Sequence, residues 1–232
     1  EEIVDLSTTV TGPLVVGRVE KITELTGFKK PIRHCLVDVG SAAGSQEPQS
    51  IVCGATNFAE GDLVVVALPG AVLPGGFAIG ARKTYGHLSA GMICSGRELG
   101  ISDDHTGIIV LPTDLPAELV KPGMDARAAV GLDDVVVEIN ITPDRGYCLS
   151  VRGIARELGH ALGVPFRDPA QRALPAPTAT PAYPVQVADP AGCDRFYGRL
   201  VRGIDPAAPS PEWMRRRLNQ AGIRSISLAV DI

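Results

Sequence analysis

Two short basic segments contain the residues whose types could bind an anionic ligand. Residues 29–34 bring lysine, arginine and histidine together, and residues 82–85 place two cations and a threonine before a tyrosine. Lysine and arginine neutralise phosphates and aromatic rings stack on exposed bases, so this pattern is typical of a nucleic-acid surface. Together with two polar residues elsewhere, the candidate contact residues are Lys29, Lys30, Arg33, Asn57, Arg82, Lys83 and Ser89.

The opposing interpretation is that these cations are solvated loop charges with no ligand. The chain has a formal net charge of −4, and residues 10–121 contain 9 Lys or Arg against 11 Asp or Glu. A generally basic protein, the simplest kind of nucleic-acid binder, is therefore excluded. Only an uneven distribution of charge could produce a basic face, and the sequence leaves both interpretations open.

No set of residues has a spacing that indicates catalysis or metal binding. The 4 histidines are scattered, and the 5 cysteines form no C-x-x-C pair. The glycine-rich run at residues 70–76 lacks the Gly-Lys-Ser/Thr ending and the following helix of a phosphate loop, so it predicts a turn. We therefore predict no catalytic residue and no metal site, and a metabolic enzyme is the weakest interpretation.

The segments that must position the candidate residues have the pattern of short strands joined by turns. Residues 14–22 alternate apolar and polar side chains after Gly17, and residues 63–68 are an apolar run that ends at Pro-Gly. Further strands are predicted at residues 35–39, 50–53, 77–79 and 108–111, and a capping box at Ser95 and Glu98. About five strands within about 80 residues predict a small barrel or sandwich.

Beyond residue 112 the pattern changes to strand and helix. Ser150 can cap a helix that Gly163 ends. The predicted elements are a strand at 134–141, a helix at 149–162, a Pro/Ala/Thr-rich linker at 167–184, a strand at 196–204 and a helix at 211–221.

Several motifs resemble those of one family. Residues 51–57, 61–70 and 89–100 resemble the tRNA-binding OB domain shared by several synthetases and free-standing tRNA-binding proteins. Residues 138–157 and 209–224 resemble the segments that follow this domain in bacterial phenylalanyl-tRNA synthetase β chains, although His87 stands where that family more often has an arginine-containing stretch. The order of these motifs extends the resemblance to that family over about residues 12–232.

The resemblance implies a mixed α+β chain, in which a five-stranded OB-type β-barrel is followed by small strand–helix, partial α/β segments. It also implies that the chain is a non-catalytic fragment. The implied division is residues 1–11 as a remnant of a split N-terminal domain, 12–121 as the OB-type tRNA-binding domain, 122–168 as the strand–helix segment completing the split domain, 169–190 as a linker, and 191–232 as the truncated start of a B3/B4-type editing domain.

The same resemblance implies that the full enzyme attaches phenylalanine to its tRNA in an ATP-dependent reaction. Within that enzyme, this stretch would serve tRNA binding and subunit assembly. The implied partners are phenylalanine tRNA and the synthetase α chain in an α2β2 heterotetramer. ATP and Mg²⁺ would serve the full enzyme, and no cofactor is expected here. The resemblance also implies a cytoplasmic location with no membrane or DNA partner, and the sequence contains neither a membrane-length apolar run nor a signal-peptide pattern. The alternatives are a free-standing OB-fold tRNA-binding protein and a purely structural assembly module.

Overall fold

The computed structural model describes residues 2–44, 46–102, 106–113, 115–168, 170–173, 184–196, 198 and 200–232. Within them the strands are β1 Glu2–Asp5, β2 Leu14–Leu25, β3 Ile32–Asp38, β4 Gln49–Cys53, β5 Leu63–Ala67, β6 Val72–Leu73, β7 Phe77–Ala78, β8 Arg82–Thr84, β9 His87–Ser89, β10 Met92–Ile93 and β11 Val135–Glu138. The α-helices are α1 Arg127–Val130, α2 Val151–Leu162, α3 Glu212–Gln220 and α4 Leu228–Asp231. Two compact units are formed, one by Glu1–Glu138 with Pro209–Ile232 and one by Ile139–Ala208.

The first unit is built on a five-stranded antiparallel sheet of described residues, in the order β10-β5-β2-β3-β4. The long strand β2 pairs with β5 from Leu14 to Arg18 and with β3 from Arg18 to Leu25. Its register with β3 shifts between Val19 and Lys21, and such a bulge increases the local twist. The sheet forms a nearly closed barrel, which confirms the predicted five-stranded OB-type barrel.

The central strands of the barrel are buried on both faces. Val64 and Val66 belong to one apolar cluster with Val19, whereas Val65 and Ala67 belong to a second cluster on the opposite face. Successive side chains of a strand point to opposite faces, so a strand buried on both sides must be apolar throughout. This burial explains the uninterrupted apolar run at residues 63–68, and it confirms the buried strand predicted there.

The β8–β9 hairpin covers the exposed edge of β4. The backbone amide of Ala90 donates to the carbonyl oxygen of Ser50 at 2.8 Å, and the amide of Val52 donates to the Ser89 hydroxyl at 3.0 Å. An uncovered edge strand presents free backbone groups that can pair with another chain. The hairpin therefore supplies hydrogen-bond partners to backbone groups on the edge of β4. These hydrogen bonds also hold residues 82–89 beside the barrel.

Two local predictions around residues 95–111 are altered by the tertiary context. Ser95 and Glu98 form the predicted capping box, since the Ser95 amide and hydroxyl both donate to the Glu98 carboxylate at 2.6 and 2.8 Å. Residues 96–100, where the capping box predicts a short helical stretch, form hydrogen-bonded turns instead. The strand predicted at residues 108–111 is reduced to a single bridge between Val110 and Val64.

Within the first unit, the segment that precedes the barrel in the sequence pairs with the segment that follows it. Strand β1 pairs antiparallel with β11, from Glu2 opposite Glu138 to Asp5 opposite Val135. Helix α3 is attached beside them, because the Gln220 side-chain amide donates to the Asp134 carboxylate at 2.8 Å. Chain segments separated by more than a hundred residues therefore meet at this two-stranded sheet.

The second unit contains helix α2 with the predicted ends. The Ser150 hydroxyl accepts the Gly153 amide at 3.1 Å, and Gly163 ends the helix at a φ of 63°. The strand predicted at residues 196–204 is wrong for the described residues of that stretch, which are irregular. Phe196 and Val201 are exposed there. An apolar run becomes a strand only where a neighbouring strand accepts its backbone hydrogen bonds. Of the predicted linker, residues 169 and 174–183 lie outside the described residues.

Candidate nucleic-acid interface

The loop between β2 and β3 carries the first basic segment. Lys29 and Lys30 are exposed in this loop, and neither forms an ion pair within the described residues. Phe28 precedes them and is 46% exposed. The loop is therefore positioned at one end of two barrel strands, with its cations free to meet an external anion.

The β8–β9 hairpin carries the second basic segment. Arg82 and Lys83 are exposed on β8, and Thr84 pairs with His87 across a two-residue turn. The turn residues Tyr85 and Gly86 have φ angles of 50° and 84°. Two successive positive φ angles define the tight hairpin turn whose twist matches that of its strands. The turn leaves the Tyr85 ring 48% exposed.

The tertiary structure brings these two segments together. The Phe28 and Tyr85 rings meet edge to face, with centroids 4.7 Å apart and an interplanar angle of 72°. The His34 and His87 rings, on β3 and β9, also stack, with centroids 4.3 Å apart and an interplanar angle of 26°. We use the name basic aromatic surface for Phe28, Lys29, Lys30, Arg82, Lys83 and Tyr85.

Arg33 lies in the first basic segment but is committed to contacts inside the protein. Its Nε donates to the Glu24 carboxylate at 2.8 Å, and its Nη1 donates to the Phe58 carbonyl oxygen at 2.9 Å. The guanidinium carbon also lies 5.2 Å from the centre of the Phe58 ring, and only 15% of the side chain is exposed. These contacts hold the start of β3 and direct most of the guanidinium away from solvent.

The two polar candidate residues are also engaged with backbone groups. Asn57 accepts the Ile108 amide at 3.0 Å and donates to the Ile108 carbonyl oxygen at 2.9 Å. Ser89 is buried, accepts the Val52 amide and donates to the Gly91 carbonyl oxygen at 3.2 Å. Of the candidate residues, Lys29, Lys30, Arg82 and Lys83 are exposed and form no ion pair within the described residues, whereas Arg33, Asn57 and Ser89 form hydrogen bonds inside the barrel unit, although Asn57 is also exposed.

The described residues contain no group of three or more His, Cys, Asp or Glu that could hold a metal ion. All five cysteines are free thiols. Burial raises the pKa of Cys35 and of Cys94 to about 12, so these thiols stay protonated at neutral pH. No described helix is long and apolar enough to cross a membrane.

Two family descriptions match parts of the chain. Residues 14–118 match the family described as "Putative tRNA binding domain", and residues 192–232 match the family described as "B3/4 domain". The phenylalanine–tRNA ligase beta subunit of Thermobifida fusca is 62% identical over 232 residues, which is 100% of this chain. The corresponding subunits of Streptomyces avermitilis and Nocardia farcinica are 60% and 59% identical, over 100% and 95% of this chain.

Over its full length the chain is therefore similar to the N-terminal region of phenylalanine–tRNA ligase β subunits. It spans 27%, 27% and 25% of the length of these three relatives, and corresponds to their N-terminal region. Among solved structures, CsaA chaperone proteins from Picrophilus torridus and Bacillus anthracis match 48% of this chain and 87% of their own. Their TM-scores are 0.32 and 0.33, at 11% and 13% identity.

The sequence did not predict the two aromatic contacts. Phe28 and His87 were not among the candidate residues, and they lie more than fifty residues from their partners. One signal was present, since Gly86 suits the second position of a tight hairpin turn. Nothing in the sequence showed that the hairpin packs beside the β2–β3 loop.

The stacked histidines predict a loss of stability at acid pH. Burial, and secondly the charge of His87, lower the pKa of His34 below its ordinary value of about 6.5. The folded chain therefore binds fewer protons than the unfolded chain as the pH falls below about 6.5, and the free energy of unfolding decreases there. Ser50 donates to the Leu88 carbonyl oxygen and accepts from His34 Nε2, a contact that glutamine could retain.

The measurement is urea unfolding at pH 7.5 and pH 5.5 for the wild type, His34→Gln and the exposed-site control His160→Gln. We expect His34→Gln to reduce the difference in unfolding free energy between the two pH values. We expect His160→Gln to leave that difference close to the wild-type value. Equal differences in all three proteins would contradict the prediction.

Proposed function

We propose that the barrel of this β-subunit chain binds the phosphate backbone of phenylalanine tRNA through the basic aromatic surface. The observation that carries the proposal is the joining of two exposed basic segments by the Phe28–Tyr85 contact. Because the chain has a net charge of −4, a surface with four unpaired cations concentrates positive potential where the rest of the molecule does not. Arg33, Asn57 and Ser89 then act as scaffold, holding the loop and the hairpin that present these cations.

At the level of the whole protein, the proposal is a part in ATP-dependent attachment of phenylalanine to its tRNA. The names of the relatives support this, and so does the match to the tRNA-binding family. The proposed partners are phenylalanine tRNA and a synthetase α chain in an α2β2 assembly, and the proposed location is the cytoplasm. We propose that ATP and Mg²⁺ act outside this stretch, in the full enzyme.

We propose the same domain division that the resemblance implies. The pairing of β1 with β11 joins residues 2–5 to residues 135–138 on either side of the barrel at 12–121, and supports the first part of one split domain at 1–11 and 122–168. Residues 139–168 of that proposed domain lie in the second compact unit. The match of residues 192–232 to the B3/4 family supports an editing domain that starts near residue 191, after a linker at 169–190.

The test is the affinity of the intact protein for phenylalanine tRNA at several salt concentrations. Lys29→Glu/Lys30→Glu is compared with Arg97→Glu/Lys121→Glu, which changes the net charge equally at exposed positions outside the loop and the hairpin. Each neutralised phosphate makes log K depend on log salt, so we expect a negative slope that the first variant reduces. We expect its affinity to fall at least about tenfold, with a smaller loss in the control.

Two results would overturn the proposed function. One is an affinity that does not change with salt, because binding to phosphates must release counterions. The other is an equal loss in both double variants, because that would reflect net charge and not a local surface. If no tRNA binds at low salt, the barrel serves as an assembly module, the second function that the acidic net charge favours.

A further inference from the structure

We propose that Phe28 and Tyr85 form a stacking platform for one unpaired base of an RNA strand, with the adjoining phosphates on the surrounding cations. The inference rests on the proposed function and names the part of the RNA that the surface selects. A double helix shields its bases from an aromatic side chain, whereas a loop or bulge can present them. The platform therefore distinguishes unpaired nucleotides from a duplex.

The exposure of these two rings is the first argument. Phe28 and Tyr85 are 46% and 48% exposed. Aromatic residues are scarce in this chain, at 4% of the sequence. They contact each other, yet neither belongs to the two buried apolar clusters of the barrel. Large exposed apolar rings that lie side by side are a feature of binding surfaces, and a solvated loop does not require them.

The backbone of Tyr85 is the second argument. It is the one residue other than glycine with a positive φ among the described residues, at 50°. Tight hairpin turns of this kind favour asparagine, aspartate or glycine at that position, because a larger side chain is strained there. Tyrosine therefore makes the turn less stable than asparagine would. A strained residue that gains only a surface contact indicates a role for its side chain.

The geometry of the two rings is the third argument. They meet at 72°, so the edge of one ring points toward the face of the other and they cannot cover both faces of each other. A planar base can stack on a free face while its edge approaches the second ring. Stacking of this kind accepts any base, because every base has a π face.

The cations complete the site for a nucleotide. Lys29 and Lys30 directly follow Phe28, and Arg82 and Lys83 lie on the strand that leads to Tyr85. None of the four forms an ion pair within the described residues. A strand whose base lies between these segments has a phosphate on each side, which is the arrangement of charge and ring found in single-strand binding grooves.

The test measures binding of two RNA probes to the intact protein. One is a single-stranded oligonucleotide with 2-aminopurine at its centre, and the other is the same sequence as a duplex. The variants are Phe28→Leu and Tyr85→Asn, with Phe77→Leu as the control because Phe77 is 50% exposed on β7. Asparagine suits a positive φ, so Tyr85→Asn is expected to fold at least as stably as the wild type.

We expect both variants to weaken single-strand binding by about five- to a hundredfold and to remove the quenching of 2-aminopurine. Duplex binding, the salt dependence and the Phe77→Leu control should be unchanged. An equal effect on both probes, or none, would overturn the platform. If Lys29→Glu/Lys30→Glu loses tRNA while Tyr85→Asn keeps single-strand affinity, the electrostatic function stands and the platform fails. If neither probe binds the wild type, the platform fails, and the tRNA titration alone decides the proposed function.

Discussion

Gly12→Ala is expected to lower the free energy of unfolding by about 2–5 kcal/mol, the sum of a strained backbone and a steric clash. Gly12 has a φ of 76°, and a Cβ there would lie 2.4 Å from the Gly70 oxygen and 2.9 Å from Ala71 Cα. These are backbone atoms, and Thr11 and Val72 exchange backbone hydrogen bonds at 3.0 and 2.9 Å beside them. The two segments cannot separate without breaking that pair.

Gly75 supplies the matched control, since its φ is also 76° while its Cβ position has nothing within 4 Å. Gly75→Ala should therefore cost only the backbone term, about 1–2 kcal/mol. Chemical unfolding of both variants separates the two contributions. Equal losses would show that the close approach to residues 70 and 71 adds nothing, and that the backbone conformation alone requires glycine at residue 12.

Asn57→Ala is expected to cost about 1–3 kcal/mol, because it leaves the Ile108 amide and carbonyl groups without their partner. The Asn57 carboxamide bonds to both groups, at 3.0 and 2.9 Å, in the manner of a neighbouring strand. It thereby fixes the chain before Val110, whose bridge with Val64 joins that segment to the barrel. If this role is structural, the variant should keep the wild-type dependence of tRNA affinity on salt.

Asn57→Asp tests the direction of these two hydrogen bonds. An ionised carboxylate can accept the Ile108 amide, but it repels the Ile108 carbonyl oxygen. The stability difference from the wild type should therefore shrink as the pH falls through the ordinary range of a carboxyl group, near 4, because the protonated form can donate. Urea unfolding of the wild type and Asn57→Asp at pH 7 and pH 4 measures this difference in unfolding free energy. A difference that grows at pH 4 would contradict the arrangement.

Features that depend on neighbours in the sequence were predicted well. The apolar run at residues 63–68, the capping box of Ser95 with Glu98, and the ends of α2 at Ser150 and Gly163 all agree with the structure. Each depends on a period of side chains or on hydrogen bonds that close within a few residues. The strand prediction at residues 196–204 was wrong because a strand also needs a neighbouring strand for its backbone hydrogen bonds. The alternation of side chains in the sequence cannot supply that neighbour.

The sequence by itself determined four of the five barrel strands, the ends of α2, the basic segments and, through its motifs, the family that the chain resembles. Only the tertiary structure decided which candidate residues are committed to contacts inside the protein. Arginine and asparagine are residue types that can contact RNA. Here Arg33 instead donates hydrogen bonds to Glu24 and Phe58, and Asn57 bonds to Ile108. The pairing of Phe28 with Tyr85 likewise exists only because the β8–β9 hairpin packs on the edge of β4. A residue's type sets which contacts it can make, but packing between distant segments decides which it makes.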